Sequence, residues 1–247
     1  PLELLQAEHA AYLAFLRSDK PDPRGLRRTH YLTMAGTAGI VLLVTIGLAI
    51  YTFKYQFRVV QNSSRGFAFA ILLLLMLALA RITGLTNLPD DLAVGTVIIA
   101  AAILTIAYNQ RFAFGAAGGL AVLTTLACGA DLKLFITQMA AAGTTVLMLD
   151  EIRTRTKVIA VGATAAGVAF LTAFCGGLLG AQPVRYSVAS GAYSGLAAIG
   201  ASFVITGILP LIESAFRIAT SLRLLEWCDV NRPLLRRLAI EAPGTYN

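Results

Sequence analysis

His9 and His30 are the only histidines in the 247-residue chain, and its three cysteines are Cys128, Cys175 and Cys228. Such side chains do metal chemistry only when three or four of them converge from short, characteristic spacings. Neither histidine has a ligand-type residue three or four positions on, and the cysteines share no metal-like spacing. His9 lies in LELLQAEHAAYLAFL, where Leu2, Leu5, Tyr12, Leu13 and Leu16 form an apolar helical face, so it reads as a packed or solvated helical residue. The cysteines read as small hydrophobes. No GxSxG and no phosphate-binding GxxxxGK[ST] occurs. The expectation is a chain with no catalytic residue, no metal ligand and no cofactor of its own.

Two polar side chains sit deep in apolar sequence. Gln138 is the deepest uncharged candidate for a ligand contact inside a membrane, with an interhelical hydrogen bond as its plainer role. Arg81 stands six residues before Asn87, close enough to an end to snorkel outward, with an internal ion pair or ligand contact as the other reading. Asp150 and Glu151 adjoin Arg153 and Arg155 as an interfacial charge cluster. No run of acidic residues crosses the apolar segments, as a proton or cation pathway often shows.

These residues must be carried by membrane helices. Hydrophobic residues make up 57% and charged residues 13%, against about 25% charged in soluble domains. Mean hydropathy is +0.74. Seven segments reach spanning length or approach it: 30–52, 67–86, 92–109, 112–130, 133–150, 157–181 and 188–211. The fourth is weakened by glycine, and the fifth is short and holds Gln138, so it is expected to tilt, thin the bilayer or enter only part way. The net charge of +7 falls between these segments, as topology requires, and no nucleic acid partner is expected.

The basic residues also orient the chain. The odd-numbered loops hold Lys54, Arg58, Arg65, Arg111, Arg153, Arg155 and Lys157, and the even-numbered loops hold only Lys133 and Arg185. Basic loops stay in the cytoplasm. The expected fold is an all-α membrane protein, a seven-transmembrane helix bundle with the N-terminus outside and the C-terminus cytoplasmic. RSDKPDPRGLRRTH argues the other way, and is reconciled if it ends a domain already exported. Residues 1–29 are then an extracellular juxtamembrane segment, 30–211 the transmembrane domain, and 212–247 cytoplasmic linker helices.

Small residues mark where helices meet in lipid. Gly191 and Gly195 form a GxxxG in span seven, and Gly115 and Gly119 another in span four. Contact within the bundle is the expected role, and homodimerisation the alternative. Past the last span, Pro210, Glu213, Arg217, Asn231 and Pro233 punctuate a helix, a break and a second helix. They are the signal-coupling candidates. The leucines of the second helix need a partner domain to cover them.

Residues 190–246, SGAYSGLAAIGASFVITGILPLIESAFRIATSLRLLEWCDVNRPLLRRLAIEAPGTY, resemble the end of the membrane region of seven-transmembrane receptors with an intracellular HD hydrolase domain. The shared features are a small-residue stretch, an LPLLE-like turn, a helix pair like T…LLEL.D.N.PLLRRL, and APGTY. EWCD replaces the usual EL.D, and Asn247 stands where many members have His or another polar residue. The resemblance implies a bacterial inner-membrane protein whose HD domain, past Asn247, hydrolyses cyclic di-AMP. It also implies a divalent metal pair (manganese or iron) in that domain, an extracellular sensing domain upstream, and an unidentified extracellular or membrane ligand. A transporter or permease is the competing function, and a purely structural anchor a third. Carriers often show internal repeats with matched broken helices. Pro89 and Pro210 are present, but no repeat between the halves is visible.

Overall fold

The computed structural model describes residues 23–56, 63–86, 88–149 and 155–216. His9, Arg58, Asn87, Asp150, Glu151, Arg153, Arg217, Cys228, Asn231 and Pro233 lie outside them. Seven α-helices follow one another among the described residues: α1 (Pro23–Tyr55), α2 (Ser63–Leu85), α3 (Val94–Ala107), α4 (Gln110–Cys128), α5 (Leu132–Met148), α6 (Arg155–Leu179) and α7 (Val184–Phe216). A 3-10 turn, Asp90–Ala93, leads into α3, and no strand occurs among the described residues. In lipid a spanning segment must satisfy its own backbone, which leaves helices as the form for an unpaired chain.

Among the described residues six helices are long and apolar enough to cross a membrane. The Gly-rich fourth segment is one of them, a helix of 19 residues. The fifth, α5, has 17 residues, about 25 Å at 1.5 Å per residue and about 5 Å short of a typical hydrocarbon core. That shortness is what its sequence predicts.

The chain divides into two units at Leu43 and Val44, within α1. In the first, the Thr37 hydroxyl turns back to the Thr33 and Met34 carbonyls, and Leu42 and Leu43 are exposed. Such apolar side chains suit lipid.

The second unit is organised around α3, which touches α2, α4, α5 and α7. Twelve of the 14 α3 residues are buried. A helix apolar all round belongs at the centre of a bundle, and the run Ala100-Ala101-Ala102 lets neighbours approach closely. The most extensive helix pairing is α6 with α7. Glycines permit it: a Cβ on Gly162 would run into Ser202 Cβ, and one on Gly177 would lie 2.8 Å from Ser187 Cβ. The α1 end of this unit meets α4 in the same way, with Tyr51 over Gly115 and Leu48 over Gly119.

Two helix ends shape one end of this unit. α4 closes in a Schellman motif at Gly129 (φ 66°), where Ala130 N–H donates to Thr125 O and Gly129 N–H to Leu126 O. Arg81 adds a guanidinium donor to the Ala127 carbonyl, a favourable charge at a helix C-terminus. α6 closes identically, with Gln182 N–H donating to Gly177 O and Ala181 N–H to Leu178 O. Here the left-handed position is Ala181, at φ 52°. An L-residue with a Cβ costs about 1–2 kcal/mol there. Ala181→Gly is therefore expected to raise stability by about 1 kcal/mol in chemical unfolding of the purified protein; an unchanged or lowered midpoint would remove the strain from this account.

Candidate functional site

The connections α2–α3, α4–α5 and α6–α7 come together around an open cleft of about 420 Å³. Its polar lining includes Asp91 from the 3-10 turn, Lys133 from the first turn of α5, Gln182 from the α6–α7 connection, and Tyr186, Ser190 and Tyr193 from α7. Its size lies within the range of about 300–1,000 Å³ usual for small-molecule sites. A neighbouring hollow of about 240 Å³ shares Asp91, Lys133 and Gln182 and adds the exposed carboxylates Asp90 and Asp131.

Each opposite charge in the cleft is held by a serine of α7. Lys133 Nζ donates to Ser190 Oγ at 2.6 Å, and Ser194 Oγ donates to Asp91 Oδ1 at 3.4 Å. The two serines stand four residues apart, on one helical face, and both are buried. Gly176 of α6 makes room for the lysine: a Cβ there would lie 2.8 Å from Lys133 Cγ. The Lys133 stem thus passes over α6 to reach α7. Among the described residues no three His, Cys, Asp or Glu side chains group as metal ligands.

The sequence candidates lie elsewhere. Gln138 is fully buried on α5, and the Thr124 hydroxyl of α4 lies 2.9 Å from its Oε1. Thr125 of α4 stands 3.4 Å from the same oxygen. Gln138 thus ties α4 to α5, and its Nε2 has no hydrogen-bond partner. Arg81 is on the α4 C-terminus, as above. Gly191 lies against the Phe170 backbone and Gly195 against Ala166, both on α6. Gly115 and Gly119 lie against α1. Pro210 and Glu213 fall on the last part of α7, and Arg217, Asn231 and Pro233 lie outside the described residues.

Sequence reasoning counted Lys133 only as a basic loop residue and did not single out the α2–α3 aspartates. Asp91 and Ser194 are 103 residues apart in the chain, and no local pattern pairs them. A usable signal was present: Ser187, Ser190 and Ser194 recur at helical spacing in a segment that otherwise faces apolar surroundings.

Residues 31–220 match the family model described as "7TM receptor with intracellular HD hydrolase". The chain is 40% identical over 55 residues to the cyclic-di-AMP phosphodiesterase PgpH of Listeria monocytogenes, a match covering 22% of this chain and 8% of that protein. It is 44% identical over 57 residues to PgpH of Bacillus subtilis, covering 23% and 8%. An uncharacterized protein of Synechocystis sp. is 44% identical over 52 residues, covering 21% and 6%. The matched stretch therefore spans less than a tenth of each curated relative. No solved structure matches the chain.

Proposed function

The chain belongs to the family of seven-transmembrane receptors with an intracellular HD hydrolase, and on that premise we propose that it transmits a signal across a bacterial plasma membrane to a hydrolase acting on cyclic di-AMP. The hydrolase is the HD domain of the same protein, with a manganese or iron pair as its metal centre. The reaction class comes from the PgpH relatives. The part assigned to these helices is transmission, with the chemistry assigned to the HD domain.

One observation carries the reading. α7 is a single helix of 33 residues, Val184–Phe216, about 50 Å long at 1.5 Å per residue. It bears the cleft residues Tyr186, Ser190 and Tyr193 near its start and Pro210 and Glu213 near its end. Its length exceeds a hydrocarbon core of about 30 Å. A shift at the cleft therefore moves the far end as well, since a packed helix responds as a body rather than residue by residue. The basic odd-numbered loops support placing the cleft end outside and the Phe216 end in the cytoplasm.

Transmission requires two states that a ligand distinguishes. Typical coupling is about 1–3 kcal/mol, a shift of about 5- to 150-fold in an equilibrium. A Gly-Ser insertion directly after Phe216 of the full-length protein is expected to abolish stimulus-dependent change in cyclic di-AMP hydrolysis while leaving basal hydrolysis and membrane insertion in place. The readout is hydrolysis in inverted vesicles of the two proteins. A response undiminished by the insertion would remove α7 as the route.

A further inference from the structure

We infer that the cleft between the α2–α3, α4–α5 and α6–α7 connections binds a small zwitterion, whose ammonium is taken by Asp91 and whose carboxylate is taken by Lys133. The inference deepens the receptor reading above and rests on it for its biological meaning. The binding itself rests on the cleft.

The charges decide the ligand class. Asp91 and Lys133 line one cavity of about 420 Å³ and carry opposite signs. Both are partly buried, so water screens them less than it screens an exposed pair. The further carboxylates, Asp90 and Asp131, are exposed and belong to the neighbouring hollow, where solvent weakens their pull. A ligand with one positive and one negative end matches the cleft at both poles. A lone cation or a lone anion leaves one pole unanswered. Tyr186 and Tyr193 also line the cleft, adding aromatic surface to the few polar groups, a mix typical of small-ligand sites.

Binding also changes a contact between helices. Without ligand, Lys133 of α5 donates to Ser190 of α7 at 2.6 Å. A carboxylate is a stronger partner for an ammonium than a neutral hydroxyl. The ligand therefore draws Lys133 off Ser190 and releases a tie between α5 and α7. That contact differs between the free and bound forms, which is the condition for a ligand to shift a conformational equilibrium. Ser190 competes with the ligand for Lys133, so Ser190→Ala is expected to tighten binding several-fold.

The test is calorimetric titration of the full-length protein in lipid nanodiscs with L-alanine and L-phenylalanine as zwitterions, and with methylammonium and acetate as single-charge probes. At least one zwitterion is expected to bind, and neither single-charge probe. Lys133→Met and Asp91→Asn are each expected to weaken that binding at least tenfold, and Lys133→Arg to retain most of it. Thermal unfolding of the ligand-free variants shows that they are folded; if Lys133→Met is not, the Asp91→Asn and Lys133→Arg pair gives the answer alone. The inference is overturned if neither zwitterion binds, if methylammonium or acetate binds as well as the zwitterion, or if binding survives in Asp91→Asn. Hydrolysis of cyclic di-AMP is read separately, with and without the zwitterion. Zwitterion binding with no change in hydrolysis would refute the receptor reading and leave the cleft standing; absent binding would remove the cleft and leave the α7 insertion result untouched.

Discussion

Gly191→Leu is expected to destabilise the bundle by about 3 kcal/mol, while Gly200→Leu, on the same helix, is expected to stabilise it. A Cβ on Gly191 would lie 2.9 Å from the Phe170 carbonyl oxygen of α6. That neighbour is backbone, so it cannot swing aside as a side chain would, and the remaining leucine atoms push α6 and α7 apart. Overpacking of this kind typically costs about 1–3 kcal/mol, and this case belongs at the upper end because the pair is the most extensive in the unit. Gly200 has nothing within 4 Å of its Cβ position. There the leucine meets lipid and gains helix propensity of up to about 1 kcal/mol over glycine. Reversible unfolding in mixed micelles measures both. Equal effects at the two positions would mean that α7 does not meet α6 through Gly191.

Phe112→Ala is the second large effect. Phe112 is 1% exposed and among the largest fully buried side chains. Its ring stacks with Tyr51 at 5.9 Å, meets Phe69 at 5.5 Å and takes the Tyr108 ring edge-on at 5.4 Å between centroids. It thereby joins α1, α2 and α4 at one end of the second unit. In water such a truncation costs about 3–5 kcal/mol, part of it from transfer out of solvent. In a bilayer the transfer part is small, because lipid is as apolar as the protein interior. What remains is lost packing, three ring pairs at about 0.5–1.5 kcal/mol each. The expected loss is about 3 kcal/mol, and about 1 kcal/mol for Phe112→Leu, which refills most of the space. An alanine variant within about 0.5 kcal/mol of the parent would show that the aromatic cluster does not hold these helices together.

The two substitutions probe different sources of stability. Gly191 is there to let backbones approach, and Phe112 is there to fill space. The cleft region uses the first device: Gly176 gives the Lys133 stem its path, and Gly177 lies against Ser187. Ala181, strained at φ 52°, immediately precedes the cleft residue Gln182.

The seven helices, their order and the shortness of α5 were legible in the sequence, because lipid imposes a local rule. Each spanning segment must be long, apolar and helical by itself, so each can be recognised without knowing its neighbours. Family membership was legible for a related reason, since residues 190–246 form one continuous, strongly patterned stretch. The glycine pairs showed that certain helix faces are thin, but not what lies against them. Only tertiary structure decided that Gly191 and Gly195 face α6 and that Gly115 and Gly119 face α1, because a thin face fits many partners and the choice depends on every helix at once. The cleft was likewise invisible to local pattern. Its two charges, Asp91 and Lys133, come from different parts of the chain, and each is held by a serine far along the chain. Such a site exists only after the helices have packed.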